Sequence, residues 1–323
     1  MKTVELGNTG KRVSALAPGC MNFGSRTDAA RSTELLDQYL EAGGTFLDTA
    51  NNYAFWHDGF EGGESERFLG RYLERRGNRD DIFLASKVGA NPTVKGGGFD
   101  TAEGLSGAAI EKAIDESLER LRTDHLDLYY AHVDHRESDL METLETFDKL
   151  VESGKVRHIA CSNMKTWRIE QARNISHANG WAKYCGVQQR FSYLRPVPGA
   201  DFDVQEAVTE ELLDYCTVND DFTLLAYSPL LNGAYTREDR EVPDEYQSPD
   251  ADARLTALKQ VAAGLEATPN QVVLAWMMQG TPTVIPLVAA STEAQLAESL
   301  GATQVTLSSE QMTFLNEAGN LNE

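Results

Sequence analysis

Three ionisable residues each stand at the end of a short apolar run. Phe46-Leu47 leads into Asp48, Leu84-Ala85-Ser86 into Lys87, and Tyr129-Tyr130-Ala131 into His132. Tyr53 follows Asp48 closely enough for the chain to turn back over the same edge. A tyrosine hydroxyl, with a pKa of about 10, is a weak acid or base at neutral pH unless a cation stabilises its phenolate. Lys87 can supply that cation, Asp48 can hold the ammonium in place, and His132 can donate a hydrogen bond to a substrate oxygen or relay a proton. The set suits moving one proton on or off a carbonyl or hydroxyl oxygen. It has no obvious nucleophile, which argues against acyl or glycosyl transfer. Singly, Asp48 could cap a turn, Lys87 could be a solvated strand end and His132 a satisfied half-buried side chain. Their corresponding positions on three successive runs favour the joint role.

The elements that must position them repeat eight times. Leu16 to Cys20, Thr45 to Leu47, Ile82 to Ala85, Leu126 to Tyr130, Val156 to Cys161, Tyr184 to Val187, Phe222 to Ala226 and Pro282 to Pro286 are apolar runs of strand length. Between them, apolar residues recur at three and four: Leu35/Leu36/Tyr39/Leu40, Phe68/Leu69/Tyr72/Leu73, Ile110/Ile114/Leu118/Leu121, Leu140/Leu144/Phe147/Leu150, Ile169/Ala172, Val208/Leu212/Leu213 and Leu255/Leu258/Val261/Leu265. Strands that are apolar on both faces, alternating with one-sided helices, imply a parallel sheet with right-handed crossovers. Eight repeats favour an α/β fold of the closed (β/α)₈ TIM barrel type, one domain over residues 1–323. A polar hairpin, Thr3 to Leu6 against Arg12 to Ala15 around Gly7-Asn8-Thr9-Gly10, is expected to close the barrel bottom. The first strand is followed by Pro18-Gly19-Cys20-Met21-Asn22-Phe23-Gly24, not the glycine fingerprint of an open dinucleotide-binding sheet. Barrel active sites lie where strands end, so Asp48, Lys87 and His132 are expected on one rim. The long loops Pro92 to Ser106 and Leu231 to Ala251 are expected to cover that site.

The segment Gly44-Thr45-Phe46-Leu47-Asp48-Thr49-Ala50, followed by Glu66-Arg67-Phe68-Leu69-Gly70, resembles the aldo-keto reductase signature. The order Asp48, Tyr53, Lys87, His132 matches that family's catalytic tetrad. The resemblance extends over essentially the whole chain, through Val156 to Asn163, Val187-Gln188, Leu225 to Leu230 and Val284-Ile285-Pro286. It implies an NAD(P)-dependent oxidoreductase that transfers a hydride between a nicotinamide and a carbonyl or alcohol, without a metal. Tyr53 would be the general acid in reduction and, as phenolate, the base in oxidation. The resemblance also implies that Ser162, Asn163 and Gln188 bond the nicotinamide carboxamide, that Tyr227 stacks on its ring, and that Ser228 and Leu230 lie along the pyrophosphate. Read without the family, Ser162-Asn163 could cap the next helix and Gln188 could satisfy a strand end.

Two stretches depart from the family pattern. Phe55, Trp56 and Phe60 sit in a link after Tyr53 that is longer and more aromatic than usual, and Phe55 and Trp56 are candidate substrate contacts, as an apolar or sugar-stacking wall or as packing of a surface loop. After the last strand, Val288 to Ser299 has no Lys or Arg where NADPH-preferring members place one against the 2′-phosphate, and Glu293 and Glu298 add negative charge. The cofactor is therefore expected to be NADPH or NADH with preference shifted toward NADH, Ser291, Gln295 and Ser299 lying nearest the adenosine. The chain stops soon after a helix expected over Ser308 to Ala318, so no long C-terminal loop is expected to enclose the substrate.

Composition narrows the partners. With 29 basic and 50 acidic residues in 323, a net charge of −21 opposes nucleic acid and anionic membranes. No run is long enough to span a bilayer, and the start has no signal-peptide core, so a cytoplasmic location is expected. Cys20, Cys161, Cys185 and Cys216 are too widely spaced for a metal or redox pair and are expected to be small buried residues. His132-Val133-Asp134-His135 lacks a fourth ligand signal, so no metal site is expected. The substrate expected is a small aldehyde, ketone or sugar. The alternative is a redox-sensing regulatory subunit like the reductase-fold β subunits of voltage-gated potassium channels, which the complete tetrad and the absence of a long N-terminal extension disfavour. A metal-assisted sugar isomerase would need carboxylate and histidine ligands at several strand ends, where Lys87 and Tyr53 stand instead.

Overall fold

The computed structural model describes residues 1–319, so the last four residues of the expected domain lie outside the described residues. Eight parallel strands form the barrel: β3 (Ala17–Pro18), β4 (Phe46–Asp48), β5 (Phe83–Val88), β6 (Leu126–Ala131), β7 (Val156–Ser162), β8 (Tyr184–Arg190), β9 (Thr223–Tyr227) and β10 (Val284–Val288). Their order is β3-β10-β9-β8-β7-β6-β5-β4. A bridge between Gly19 and Asp48 closes the ring, with the Cys20 N–H donating to Asp48 O at 2.9 Å. Each strand coincides with an apolar run of the sequence, because side chains on both faces enter a core. One core fills the barrel (Ala17, Phe46, Ala85, Leu128, Ala160, Leu225, Ile285); another lies between strands and helices.

The hairpin of β1 (Thr3–Glu5) and β2 (Arg12–Ser14) pairs Val4 with Val13 and inserts Leu6 and Val13, both fully buried, into the inner core. It thus plugs the end of the barrel opposite the strand ends. Gly7 makes this approach possible: its φ is +48°, and a Cβ there would lie 2.6 Å from Cys185 O and 2.8 Å from Asp221 O.

The flanking helices are α1 (Ala29–Glu41), α2 (Glu64–Arg76), α3 (Gly107–Leu121), α4 (Leu140–Glu152), α5 (Thr166–Asn179), α6 (Glu210–Val218) and α7 (Pro249–Gly264), followed by α8 (Pro269–Gln279), α9 (Glu293–Gly301) and α10 (Ser309–Glu317). Side-chain caps from Asp28, Ser106, Asp139, Thr209 and Ser248 fix where several of them begin. Two details differ from the periodicity. Val208 precedes α6 and Leu265 follows α7, and α8 forms where no one-sided pattern marks a helix, because five of its apolar residues are buried in sequence positions that run all round it. The long loops hold short 3₁₀ turns, at Phe99–Thr101, Leu231–Gly233 and Asp244–Tyr246, and the second loop ends at Ser248 rather than Ala251, because the Ser248 cap starts α7 at Pro249. All four cysteines are free and buried, and burial pushes their thiols up, Cys185 and Cys216 to about 12. Among the described residues no helix is long and apolar enough to cross a membrane.

Candidate active site

Asp48 ends β4, Lys87 lies one residue from the end of β5, and His132 follows β6 directly, so the closed ring brings all three to one rim. Asp48 and Lys87 are 1% and 0% exposed. A buried ammonium requires every N–H to be matched, and Lys87 Nζ matches three: Asp48 Oδ1 at 2.5 Å, the Thr49 carbonyl at 2.8 Å and the Tyr53 hydroxyl at 2.8 Å. The other Asp48 oxygen accepts from Gln188 Nε2 at 2.9 Å. Tyr53 reaches the rim because the β4 backbone continues its ladder, Thr49 N–H to Ala85 O and Asn51 N–H to Lys87 O, before the chain turns at Ala54 with φ 82°. The His132 ring stands edge-on to Tyr53, 5.9 Å between centroids, and its Nδ1 is buried without a hydrogen-bond partner.

The electrostatics follow from burial. Desolvation pushes the Tyr53 hydroxyl well above the usual phenol value, and the Asp48 charge adds to that. The cation that could favour its phenolate is in place, but burial outweighs it, so the phenol holds its proton at neutral pH. Burial and the Lys87 charge hold His132 well below the ordinary imidazole value, leaving it neutral. Burial lowers Lys87, opposed by Asp48, and raises Asp48, opposed by Lys87.

Beside this set, the side chains at the ends of β7, β8 and β9 interlock. Ser162 Oγ donates to Gln188 O at 2.7 Å, and Asn163 Nδ2 donates to His132 O at 2.9 Å and to Ser162 Oγ at 3.1 Å. The Tyr227 hydroxyl donates to Asn163 Oδ1 at 2.7 Å. Gln188 therefore links this group to Asp48, a tie that no local feature of the sequence signals. Ser228 and Leu230 follow β9, and Leu230 packs against the small core of Leu16, Leu274, Val288 and Ala302, next to β10 and α9. In that region Ser291 and Gln295 bond one another, through Ser291 N–H and Oγ, each 2.9 Å from Gln295 Oε1. Ser299 is buried on the inner side of α9, 3% exposed.

The aromatic link forms a connected wall above Tyr53. Trp56, 41% exposed, stands edge-on to Tyr53 at 6.3 Å and to Phe55 at 5.0 Å, and Phe55 meets Phe99 of the β5–α3 loop at 5.3 Å. Phe60 is half-buried farther along the same loop. Tyr130, from β6, places its ring 5.4 Å from Lys87 Nζ, a contact hidden in the sequence because Tyr129 and Tyr130 face opposite sides of the strand. At His132-Val133-Asp134-His135, Asp134 accepts from Arg168 at 3.0 Å and pairs with Arg136, while His135 Nδ1 meets Ser138 Oγ at 2.9 Å.

Comparison with known proteins agrees with the barrel fold. A model described as "Aldo/keto reductase family" matches residues 15–320. The norsolorinic acid reductase stcV of Emericella nidulans is 30% identical, the match covering 94% of this chain and 77% of that protein. The aldo-keto reductase yakc [NADP(+)] of Schizosaccharomyces pombe is 28% identical over 98% of this chain and 91% of its own length. The crystal structure of the thermostable aldo-keto reductase Tm1743 superposes with a TM-score of 0.76 at 28% identity, covering 98% of this chain and 99% of that one. A full-length match on a barrel of this topology leaves one assignment: the chain belongs to the aldo-keto reductase family and is an oxidoreductase by that membership.

Proposed function

We propose that this protein transfers a hydride between a nicotinamide dinucleotide and a small carbonyl or alcohol, an aldehyde, ketone or sugar, with Tyr53 as general acid in reduction, and that the whole chain acts as one barrel domain. The observation that carries the reading is the single hydrogen-bonded line Asp48–Lys87–Tyr53, buried at its base and ending at a phenol that is only half-buried. The bound cofactor would supply the hydride. Tyr53 would give its proton to the substrate oxygen, and the phenolate left behind would face the Lys87 ammonium, itself held by Asp48. His132, neutral, can present one ring N–H to the same oxygen without adding a competing positive charge.

The residues at the strand ends fit such a cofactor. Asn163, Ser228, Leu231 and Asn232 hold φ of 52°, 54°, 46° and 57°, left-handed values that are costly for residues with a Cβ and that concentrate at functional sites. Left-handed turns can gather backbone N–H groups around an anion, which would suit Ser228 and Leu230 beside a pyrophosphate, although the Leu231 N–H is already taken by Ser228 O at 3.3 Å. Ser162, Asn163 and Gln188 would take the carboxamide, with Tyr227 across the ring.

At the adenosine end, Val288 to Ser299 carries no basic residue, and Arg31 of α1, which approaches Glu293 to 3.6 Å, is already 2.8 Å from Glu34. A charge-assisted bond to a phosphate contributes about 1.5–3 kcal/mol, so its loss removes much of the gain that a 2′-phosphate brings. NADH is therefore expected to bind at least as tightly as NADPH, with Ser291 and Gln295 near the ribose. Absorbance of the reduced nicotinamide, followed with each cofactor against a panel of aldehydes, ketones and sugars, tests both parts. Turnover with a comparable or lower Kd for NADH supports the reading. NADPH binding more than tenfold tighter refutes the preference, and cofactor binding without turnover on any substrate favours a sensing role.

A further inference from the structure

Tyr53 lies on a turn that its own backbone holds weakly. Its N–H reaches Ala50 O only at 3.4 Å, and Ala54 beside it takes the left-handed φ of 82°. Such a conformation persists where surrounding contacts over-determine it. Those contacts converge on Glu103, a half-buried carboxylate in the β5–α3 loop. Its Oε1 accepts Asn51 Nδ2 at 2.8 Å, the Gly89 N–H at 2.8 Å and the Asn91 N–H at 3.5 Å, and its own N–H donates to Asn91 O at 2.9 Å. One oxygen thus bonds two residues before Tyr53 and two residues after Lys87. A second tie runs in parallel, Asn52 Nδ2 to Ala90 O at 3.2 Å, and Asn51 and Asn52 are both buried. At the rim the same two loops meet again through Lys95 and Glu61 at 2.6 Å and through Phe55 against Phe99.

We propose that Glu103 is a positioning residue for proton transfer: by joining Asn51 to Gly89 it sets the distance between the Tyr53 hydroxyl and Lys87 Nζ. The role rests on the reading of Tyr53 as the proton donor. Burial raises the Glu103 carboxyl, opposed by Asn51 and the two amides, so its placement under this rim works against its solvation rather than following from it. A misplacement of about 1 Å in a reacting group can lower a rate on the order of a hundredfold.

The test compares Glu103→Ala, Glu103→Gln, Asn51→Ala and the Asn51/Glu103 double alanine variant in the full chain. Steady-state kinetics with a carbonyl substrate are read alongside cofactor Kd and amide hydrogen exchange over residues 50–57. For Glu103→Ala, kcat is expected to fall roughly 10- to 100-fold, with KM and cofactor Kd changing less than about threefold and exchange over 50–57 at least about tenfold faster. Glu103→Gln, which keeps an acceptor oxygen, restores most of kcat, and Asn51→Ala adds little in the Glu103→Ala background. Wild-type kcat in Glu103→Ala, or unchanged exchange over 50–57, overturns the proposal, as does a Glu103→Gln variant no better than alanine. If wild type turns over no substrate while exchange quickens in Glu103→Ala, Glu103 still holds the Tyr53 turn and the reading of Tyr53 as donor is what has failed.

Discussion

Lys87 directs its ammonium at Asp48, Thr49 and Tyr53 from a position with no exposure, so its removal acts on stability and chemistry together. Lys87→Met leaves Asp48 buried without its cation, at an expected cost of about 3–5 kcal/mol, whereas Lys87→Met with Asp48→Asn recovers part of it because neither charge then remains. Denaturant unfolding of the three proteins measures the difference, and additive losses would contradict it. The meeting of Asp48, Lys87, Tyr53 and His132 was legible because each stands at a strand end or about one turn beyond it. Gln188 as a ligand of Asp48 and Glu103 as a partner of Asn51 were not, since each depends on residues far apart in the chain meeting across a closed barrel. Whether Lys87 makes Tyr53 more acidic was also beyond the sequence: the cation is there, but the burial that opposes it is a property of the fold.

At the level of elements, the wall of Phe55, Trp56 and Phe99 joins two βα loops over Tyr53. Trp56 is exposed enough to meet a ligand and contacts Tyr53 by its ring edge. Trp56→Ala is expected to raise KM for a ring-bearing carbonyl substrate about 5- to 20-fold, the loss of one aromatic contact, while leaving cofactor Kd unchanged. A matching fall in kcat with KM unchanged would place Trp56 in support of Tyr53 instead. The eight strands were readable as unbroken apolar runs, and the early helices as one-sided stripes. Helix α8 escaped that reading because Val272, Val273, Leu274, Ala275 and Met277 are all buried, which erases the stripe; its signal lay in the Thr268-Pro269 start and the Gln271 side chain that completes a capping box.

For the whole molecule, the barrel gathers Asp48, Lys87, Tyr53 and His132 at one rim and desolvates their titrating groups, and desolvation of this kind sets the pH range of the fold. Tyr53, Tyr129, Tyr130 and Tyr184 are all raised well above the ordinary phenol value by burial. The unfolded chain therefore loses these protons first, and stability falls as pH rises above about 10. On the acid side His132, held neutral in the fold, favours the unfolded chain as pH drops below about 6.5, the unfolded histidine value. Alkaline unfolding followed by tyrosinate absorbance should show these phenols ionising together with loss of structure; ionisation well before unfolding would contradict it. The net charge of −21 agrees with the lack of basic residues from Val288 to Ser299. The central claim is that one half-buried phenol, backed by Lys87 and Asp48, moves the proton. Single-turnover oxidation of bound NADH by a carbonyl substrate, in wild type and Tyr53→Phe, tests it most directly. The expected result is a rate lower by about 10²–10⁴-fold in Tyr53→Phe with cofactor affinity unchanged. A phenylalanine variant within a few-fold of the wild-type rate would contradict it.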